Sequence, residues 1–226
     1  NSLYGQFTLL LVKTDPEAQP RHKGMSLLIA EKGPGYEVAK LKKMGYRSID
    51  TCEINFDNYR VPKANLLGGV EGKGFVQTAG GLELGRINVA ARGAGIAEGA
   101  LMHSLRYAQE RSAFGKPIWQ HQAVQMKLAD MVTQVEGAKR LIEQAARKYD
   151  RGERCDLEAA MAKLAGSEAG VFCAQEGMRI FGGYSYSVEY DIERYYRDAM
   201  LMCIGEGTNE ILRQVIAKQL VERYRI

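Results

Sequence analysis

Residues 203–214 read Cys-Ile-Gly-Glu-Gly-Thr-Asn-Glu-Ile-Leu-Arg-Gln and set one carboxylate on a stripped stretch of backbone. Glu206 stands between Gly205 and Gly207, and helical patterning starts just after it, at about Thr208. Two chemistries fit. An acid beside a helix N-terminus is stabilised by the free N–H groups and the helix dipole, and needs no further role. An acid held clear of its neighbours can instead take a proton from a bound substrate. The dipole role needs no bare backbone on both sides, whereas glycine lets backbone and ligand approach each other. The flanking glycines therefore weigh against the first reading without removing it.

Other stretches carry weaker signals. In Arg-Ser-Ala-Phe-Gly-Lys-Pro-Ile-Trp-Gln-His-Gln (111–122), Arg111 has the planar guanidinium suited to phosphate, while the bland reading is a turn between helices. His121 reads first as a capping or packing histidine. Gly182-Gly183, in Ile-Phe-Gly-Gly-Tyr-Ser-Tyr-Ser, is an ordinary helix C-cap or a place where a flat cofactor comes close. Glu83 and Arg86 lie on one helical segment, where a solvated ion pair is the default. There is no P-loop, no serine nucleophile elbow and no Rossmann glycine fingerprint. Four cysteines without CxxC spacing and three histidines outside any cluster argue against a disulfide scaffold and a metal centre. A net charge of +4, spread along the chain, suggests no nucleic-acid partner. No apolar run reaches membrane-spanning length, and the first residues have no leader-peptide pattern.

These residues must be held by two kinds of structure. Residues 1–69 have strand character: Gln-Phe-Thr-Leu-Leu-Leu-Val-Lys and Gly-Met-Ser-Leu-Leu-Ile-Ala-Glu flank a turn-rich connection, and Asp-Thr-Cys-Glu-Ile-Asn-Phe alternates before Pro62. Residues 70–226 carry helical stripes. Ala90, Ala94, Ala97, Leu101, Leu105 and Ala108 make the first, and Val124 to Ala145 a second at spacings of three and four. Leu157, Met161, Leu164, Val171 and Met178 make a third, and Leu212, Val215, Ile216 and Leu220 a last. The expected fold is α+β: a partial β-barrel or sheet region, 1–69, followed by an antiparallel four-helix-type bundle, 70–226.

Taken together and in order, five segments resemble the acyl-CoA dehydrogenase family: 45–62 (GYRSIDTCEINFDNYRVP), 82–101 (LELGRINVAARGAGIAEGAL), 107–131 (YAQERSAFGKPIWQHQAVQMKLADM), 178–201 (MRIFGGYSYSVEYDIERYYRDAML) and 204–220 (IGEGTNEILRQVIAKQL). The resemblance covers nearly the whole chain, but only the second part of the family's middle β domain and its C-terminal helical domain. The N-terminal domain and the Thr-Glu-Pro and Trp-(Ile/Val)-(Thr/Ser) segments are not matched. The expectation is a fragment or cleavage product, or a chain whose other half is a separate polypeptide.

The resemblance implies an FAD-dependent α,β-dehydrogenation of an acyl-CoA thioester to the trans-2-enoyl-CoA, with hydride passing to flavin N5. Glu206 would be the base for the α proton, and its backbone N–H would help bind the thioester oxygen. Glu83, Arg86 and Gly207 would face the substrate, the first two near its CoA part. Some relatives carry the base just before the arginine matching Arg86; that position is Gly85 here. Arg111, Phe114, His121, Gln122, Arg179, Phe181, Gly182, Gly183, Thr208 and Glu210 would approach FAD, Arg111 at the pyrophosphate bound to a neighbouring subunit. Ala113 replaces a hydroxyl residue found in some members, with the loss of one phosphate contact, and Arg179 stands where many members have Gln on the adenosine side. Implied partners are an electron-transfer flavoprotein and copies of the same chain, as a homotetramer or dimer of dimers. The expected location is the cytoplasm, or a mitochondrial matrix after processing. Two other readings are a non-catalytic partner or scaffold subunit, and a flavin oxidase or monooxygenase on the same fold.

Overall fold

The computed structural model describes residues 1–225. The chain divides into two compact units, Asn1–Leu82 and a second from Glu83 onward. In the first, β1 (Phe7–Lys13) and β2 (Met25–Glu31) pair antiparallel with Leu10 opposite Leu28. The second ladder joins β3 (Tyr36–Lys40) to β4 (Cys52–Phe56), with Val38 opposite Ile54. Among the described residues the sheets are two-stranded and none closes into a barrel. Tyr36, Phe56 and Tyr59 pack ring against ring beside the second ladder, and the Tyr36 hydroxyl meets Thr8 Oγ1 at 2.7 Å. Strand β3 lay outside the predicted strands. Tyr-Glu-Val-Ala-Lys buries no residue fully, so its pattern is weak, and its pairing with β4 decides its state.

Helix α1 (Gly74–Glu110) begins in the first unit and continues in the second. A short hairpin, β5 (Ser112–Ala113) and β6 (Lys116–Pro117), leads to α2 (Gln122–Asp150). Then come α3 (Asp156–Phe181), α4 (Ile192–Ile204) and α5 (Asn209–Arg223). Helices α1 to α4 share one core, including Ala97 and Leu101, Met131 and Val135, Ala169 and Cys173, and Ile192 and Ala199. Of the predicted stripes, Ala94, Ala97, Leu101 and Ala108 on α1 and Met131, Val135 and Ala138 on α2 lie buried in this core, whereas Leu105 is exposed. α4 has no counterpart among those stripes: it is short, and only Ile192, Ala199 and Met202 are buried.

α3 is the central helix. Its fully buried positions are mostly small, such as Ala159, Ala162, Gly166, Ala169 and Gly170, while the larger Met161, Leu164, Val171 and Met178 are half-buried. Small residues let neighbouring backbones come close. A Cβ on Gly166 would lie 2.5 Å from the Ala90 carbonyl oxygen of α1, and one on Gly93 would collide with the Gly166 carbonyl. α5 closes against α3 through Leu212, the hydrogen bond from Gln219 to Asp156 at 2.5 Å, and the Arg223–Glu158 pair at 3.6 Å. No helix among the described residues is long and apolar enough to cross a membrane.

All four cysteines are free, and burial pushes the Cys173 thiol up to about 12. At pH 8 it holds almost no thiolate, so iodoacetamide should leave Cys173 unlabelled in the native protein and label it in denaturant, read by mass spectrometry. Gly166→Ala should cost about 1–3 kcal/mol through overpacking at the α1–α3 crossing. That loss reads as a thermal midpoint lower by roughly 2–4 °C per kcal/mol.

Candidate active site

The predicted site residues gather in two places. The first is the turn between α4 and α5. α4 ends at Ile204, Gly205 is extended, and Thr208 caps α5 by accepting a hydrogen bond from the Ile211 N–H at 3.4 Å. Between them Glu206 and Gly207 have φ of 56° and 92°. A left-handed conformation is open to glycine but costs a residue with a Cβ of the order of 1–2 kcal/mol. The turn reverses the chain in very few residues and leaves the Glu206 side chain exposed.

The Glu206 carboxyl lies over α1. A Cβ on Gly85 would meet its Oε2 at 2.8 Å and its Cδ at 2.9 Å. A side chain at position 85 would thus meet this carboxyl group, and glycine there leaves the space to Glu206. Next along α1, Arg86 is half-buried, and its Nε is buried without a hydrogen-bond partner. Such an orphaned donor is a feature to be explained by a ligand or water. Glu83, one turn earlier, accepts from the Cys155 thiol at 3.4 Å. Desolvation and this carboxylate push Cys155 up to about 11. Glu210, in the first turn of α5, is exposed; its own backbone N–H and the Thr208 hydroxyl hold its carboxyl below the usual carboxylate range.

Beneath the turn lies Lys163 of α3, fully buried. Its Nζ donates to the Gly207 carbonyl and to Asn209 Oδ1, both at 2.8 Å. Sequence reasoning missed Lys163 and Asn209. Lys163 falls between Ala162 and Leu164 in a helix, where a lysine ordinarily reaches solvent.

The second place is a cavity of about 580 Å³ where α1, the short hairpin and the end of α3 meet. Arg111, Phe181, Gly182 and Gly183 line it, with Tyr107, Ile118 and Tyr184. Tyr107 stacks on Phe181 with ring centroids 4.1 Å apart, and the Arg111 guanidinium sits 5.6 Å from the centre of the Tyr184 ring. Tyr107 precedes Arg111 by one helical turn, a spacing that could have marked it. Gly182 has φ of 61°, and no atom lies within 4 Å of a Cβ built on it or on Gly183. The hairpin turn, Phe114-Gly115, has φ of 53° and 79°, the conformation that twist-matched two-residue hairpins require. It holds the Phe114 ring 95% exposed, with His121 edge-on at 5.9 Å. A His121 ring nitrogen lies 3.1 Å from the Ala113 carbonyl, and Gln122 opens α2 with its side chain exposed. Phe114, His121, Gln122 and Arg179 are outside the lining; Arg179 pairs with Glu176 of its own helix, which also takes Lys127 of α2. Stacked rings, a guanidinium and bare glycine backbone fit a flat, phosphate-bearing cofactor. No group of three or more metal-ligating side chains occurs among the described residues.

Residues 72–221 match the family described as acyl-CoA dehydrogenase, C-terminal domain. An acyl-CoA dehydrogenase of Bacillus subtilis (strain 168) is 47% identical over 205 residues, which are 90% of this chain and 54% of that protein. The crystal structure of an acyl-CoA dehydrogenase from Geobacillus kaustophilus superposes with a TM-score of 0.94 at 37% identity, over 96% of this chain and 58% of that one. A chain solved in work on the electron transferring flavoprotein of Acidaminococcus fermentans and flavin-based electron bifurcation gives 0.92 at 40% identity, over 96% and 57%. The chain thus spans about half the length of these relatives.

The turn itself makes a prediction about stability. Glu206→Gly should relieve the left-handed strain and raise stability by roughly 0.5–1 kcal/mol. Glu206→Gln, which keeps the Cβ, should leave the thermal midpoint near wild type.

Proposed function

The chain belongs to the acyl-CoA dehydrogenase family, and from that premise we propose that it carries the base and part of the cofactor site of an FAD-dependent acyl-CoA dehydrogenase. Residues 1–69 would be part of the middle β domain and 70–226 the C-terminal helical domain. The observation that carries the reading is the Glu206 carboxyl group, held over Gly85 on a left-handed turn.

The chemistry follows from those groups. Glu206 takes the proton from the carbon α to the thioester carbonyl, forming its own O–H bond as the C–H bond breaks. The electron pair left behind is drawn toward the thioester oxygen, where the Glu206 backbone N–H donates a hydrogen bond to the growing negative charge. FAD, when bound, supplies at N5 the acceptor for the hydride leaving the β carbon. The α,β double bond closes the balance, two C–H bonds being exchanged for one C=C bond. Gly205 and Gly207 keep the turn free of side chains that would hold the thioester away. Arg86, with its orphaned Nε, and Glu83 face the CoA portion. Arg111 would hold the pyrophosphate of FAD bound to a neighbouring subunit, and Phe114, His121, Gln122, Phe181, Gly182, Gly183, Thr208 and Glu210 would approach the cofactor. Arg179 would need to leave Glu176 to reach it.

The substrate is an acyl-CoA and the product the trans-2-enoyl-CoA. An electron-transfer flavoprotein takes the electrons onward, a partner supported by the structural likeness to the Acidaminococcus fermentans chain. The assembly is a homotetramer or dimer of dimers.

The test is the visible spectrum of the holoenzyme under anaerobic titration with a panel of acyl-CoA thioesters. One acyl class should bleach the flavin band. Glu206→Gln should slow that bleaching by about 10²–10⁴-fold, the usual worth of a positioned acid–base group, with flavin content unchanged. A complete assembly that purifies colourless, or a Glu206→Gln variant that bleaches like wild type, would refute the assignment.

A further inference from the structure

We propose that Lys163 is a positioning residue for the base: by gripping the Gly207 carbonyl from beneath, it holds Glu206 in its left-handed turn above Gly85. The inference rests on the reading of Glu206 as the proton acceptor.

A fully buried ammonium is costly and normally has a carboxylate against it. Lys163 is fully buried, yet both of its hydrogen bonds go to neutral oxygens, Gly207 O and Asn209 Oδ1. An apolar side chain of similar length would spare the ammonium its desolvation cost but leave the Gly207 carbonyl without this donor. The ammonium brings several donors on one atom, and here they bridge the residues on either side of the helix cap Thr208. The bond to Gly207 O holds the peptide that follows the two positive-φ residues.

The second acceptor is itself locked. Asn209 Oδ1 also accepts from Ser167 Oγ at 3.1 Å, and its Nδ2 donates to Glu168 Oε1 at 3.0 Å. Glu168 is tied in turn to Arg213 at 3.0 Å. The amide therefore has one orientation, and Lys163 Nζ one resting place. The groups around the ammonium are accounted for: Cys203, Glu210 and Glu168 favour its charge, and Arg86 opposes it. Burial outweighs them and draws the lysine below its ordinary range. Lys163 lies one helical turn before Gly166, at the tight crossing with α1, so the anchor and the Gly85 surface under the carboxylate belong to one rigid contact.

The experiment is stopped-flow bleaching of the holoenzyme by the acyl-CoA that reduces wild type best, comparing Lys163→Met and Glu206→Gln with wild type. Lys163→Met should keep its flavin content and a half-saturating substrate concentration within about threefold, while the limiting rate per bound flavin falls on the order of 10- to 100-fold, as for a misplaced catalytic group. A purely structural lysine gives a lower thermal midpoint and less bound flavin, but a wild-type rate per flavin, and that result overturns the proposal. If Lys163→Met does not fold, Asn209→Ala carries the test. A rate per flavin lowered roughly 3- to 10-fold at unchanged half-saturation supports the anchor, and a wild-type rate overturns it. If Glu206→Gln itself bleaches at the wild-type rate, the reading of Glu206 fails and takes the proposal with it. Loss in Glu206→Gln beside a wild-type rate in Lys163→Met refutes the anchor alone.

Discussion

The second unit is organised around the place where α1 and α3 cross backbone to backbone. Gly93 and Gly166 put no side chain between the two helices, and a methyl added at either would strike a carbonyl, that of Gly166 or of Ala90. Such a contact tolerates little sliding, because close-packed backbones have no soft side chain to absorb it. Its consequences reach beyond packing. Gly85 lies about two turns before Gly93 on α1, and Lys163 about one turn before Gly166 on α3. The crossing therefore sets the distance between the surface under the Glu206 carboxyl group and the buried cation beneath its turn.

Strain follows the same pattern. From Glu83 onward, the two described residues other than glycine with positive φ are Phe114 and Glu206. One presents a fully exposed ring at a hairpin tip, the other an exposed acid at a helix junction. Backbone cost persists at such places when the surroundings over-determine it. At Phe114 a two-residue hairpin closes the turn, with Ala113 opposite Lys116. At Glu206 the α5 cap and the Lys163–Gly207 bond do so from either side of Thr208. Both side chains stay free at their tips while their backbones are held, which suits groups that meet a ligand.

The two places also divide the chemistry. The α4–α5 turn has an acid, a buried guanidinium nitrogen without a partner, and glycines that keep backbone accessible. The cavity at the end of α3 has stacked aromatic rings, a guanidinium and an open glycine pair. One suits proton removal, the other a flat ring system with phosphates. Each is built at helix ends, where rigid elements stop and free backbone groups become available.

Much of this was legible in the residues. Apolar spacing marked α1, α2, α3 and α5, because a helix that buries one face must repeat it at 3.6 residues. The glycines around Glu206 and in Gly182-Gly183 announced backbone that must turn or be approached. β3 and α4 were not legible: β3 buries no residue fully and takes its state from β4, and α4 buries too few residues to leave a stripe. On α3 the half-buried large residues stood out, while the small residues that make the core did not, since closeness of approach is a property of two helices together. By itself the sequence determined a strand region followed by long helices, the candidate acid and the families of side chain available to a cofactor, for these depend on local periodicity and residue type. Tertiary structure alone decided that Lys163 is buried, that Arg86 Nε lacks a partner, and that Gly85 yields its space to Glu206. Each of those facts depends on what a second, distant segment brings alongside, and no local pattern carries that information.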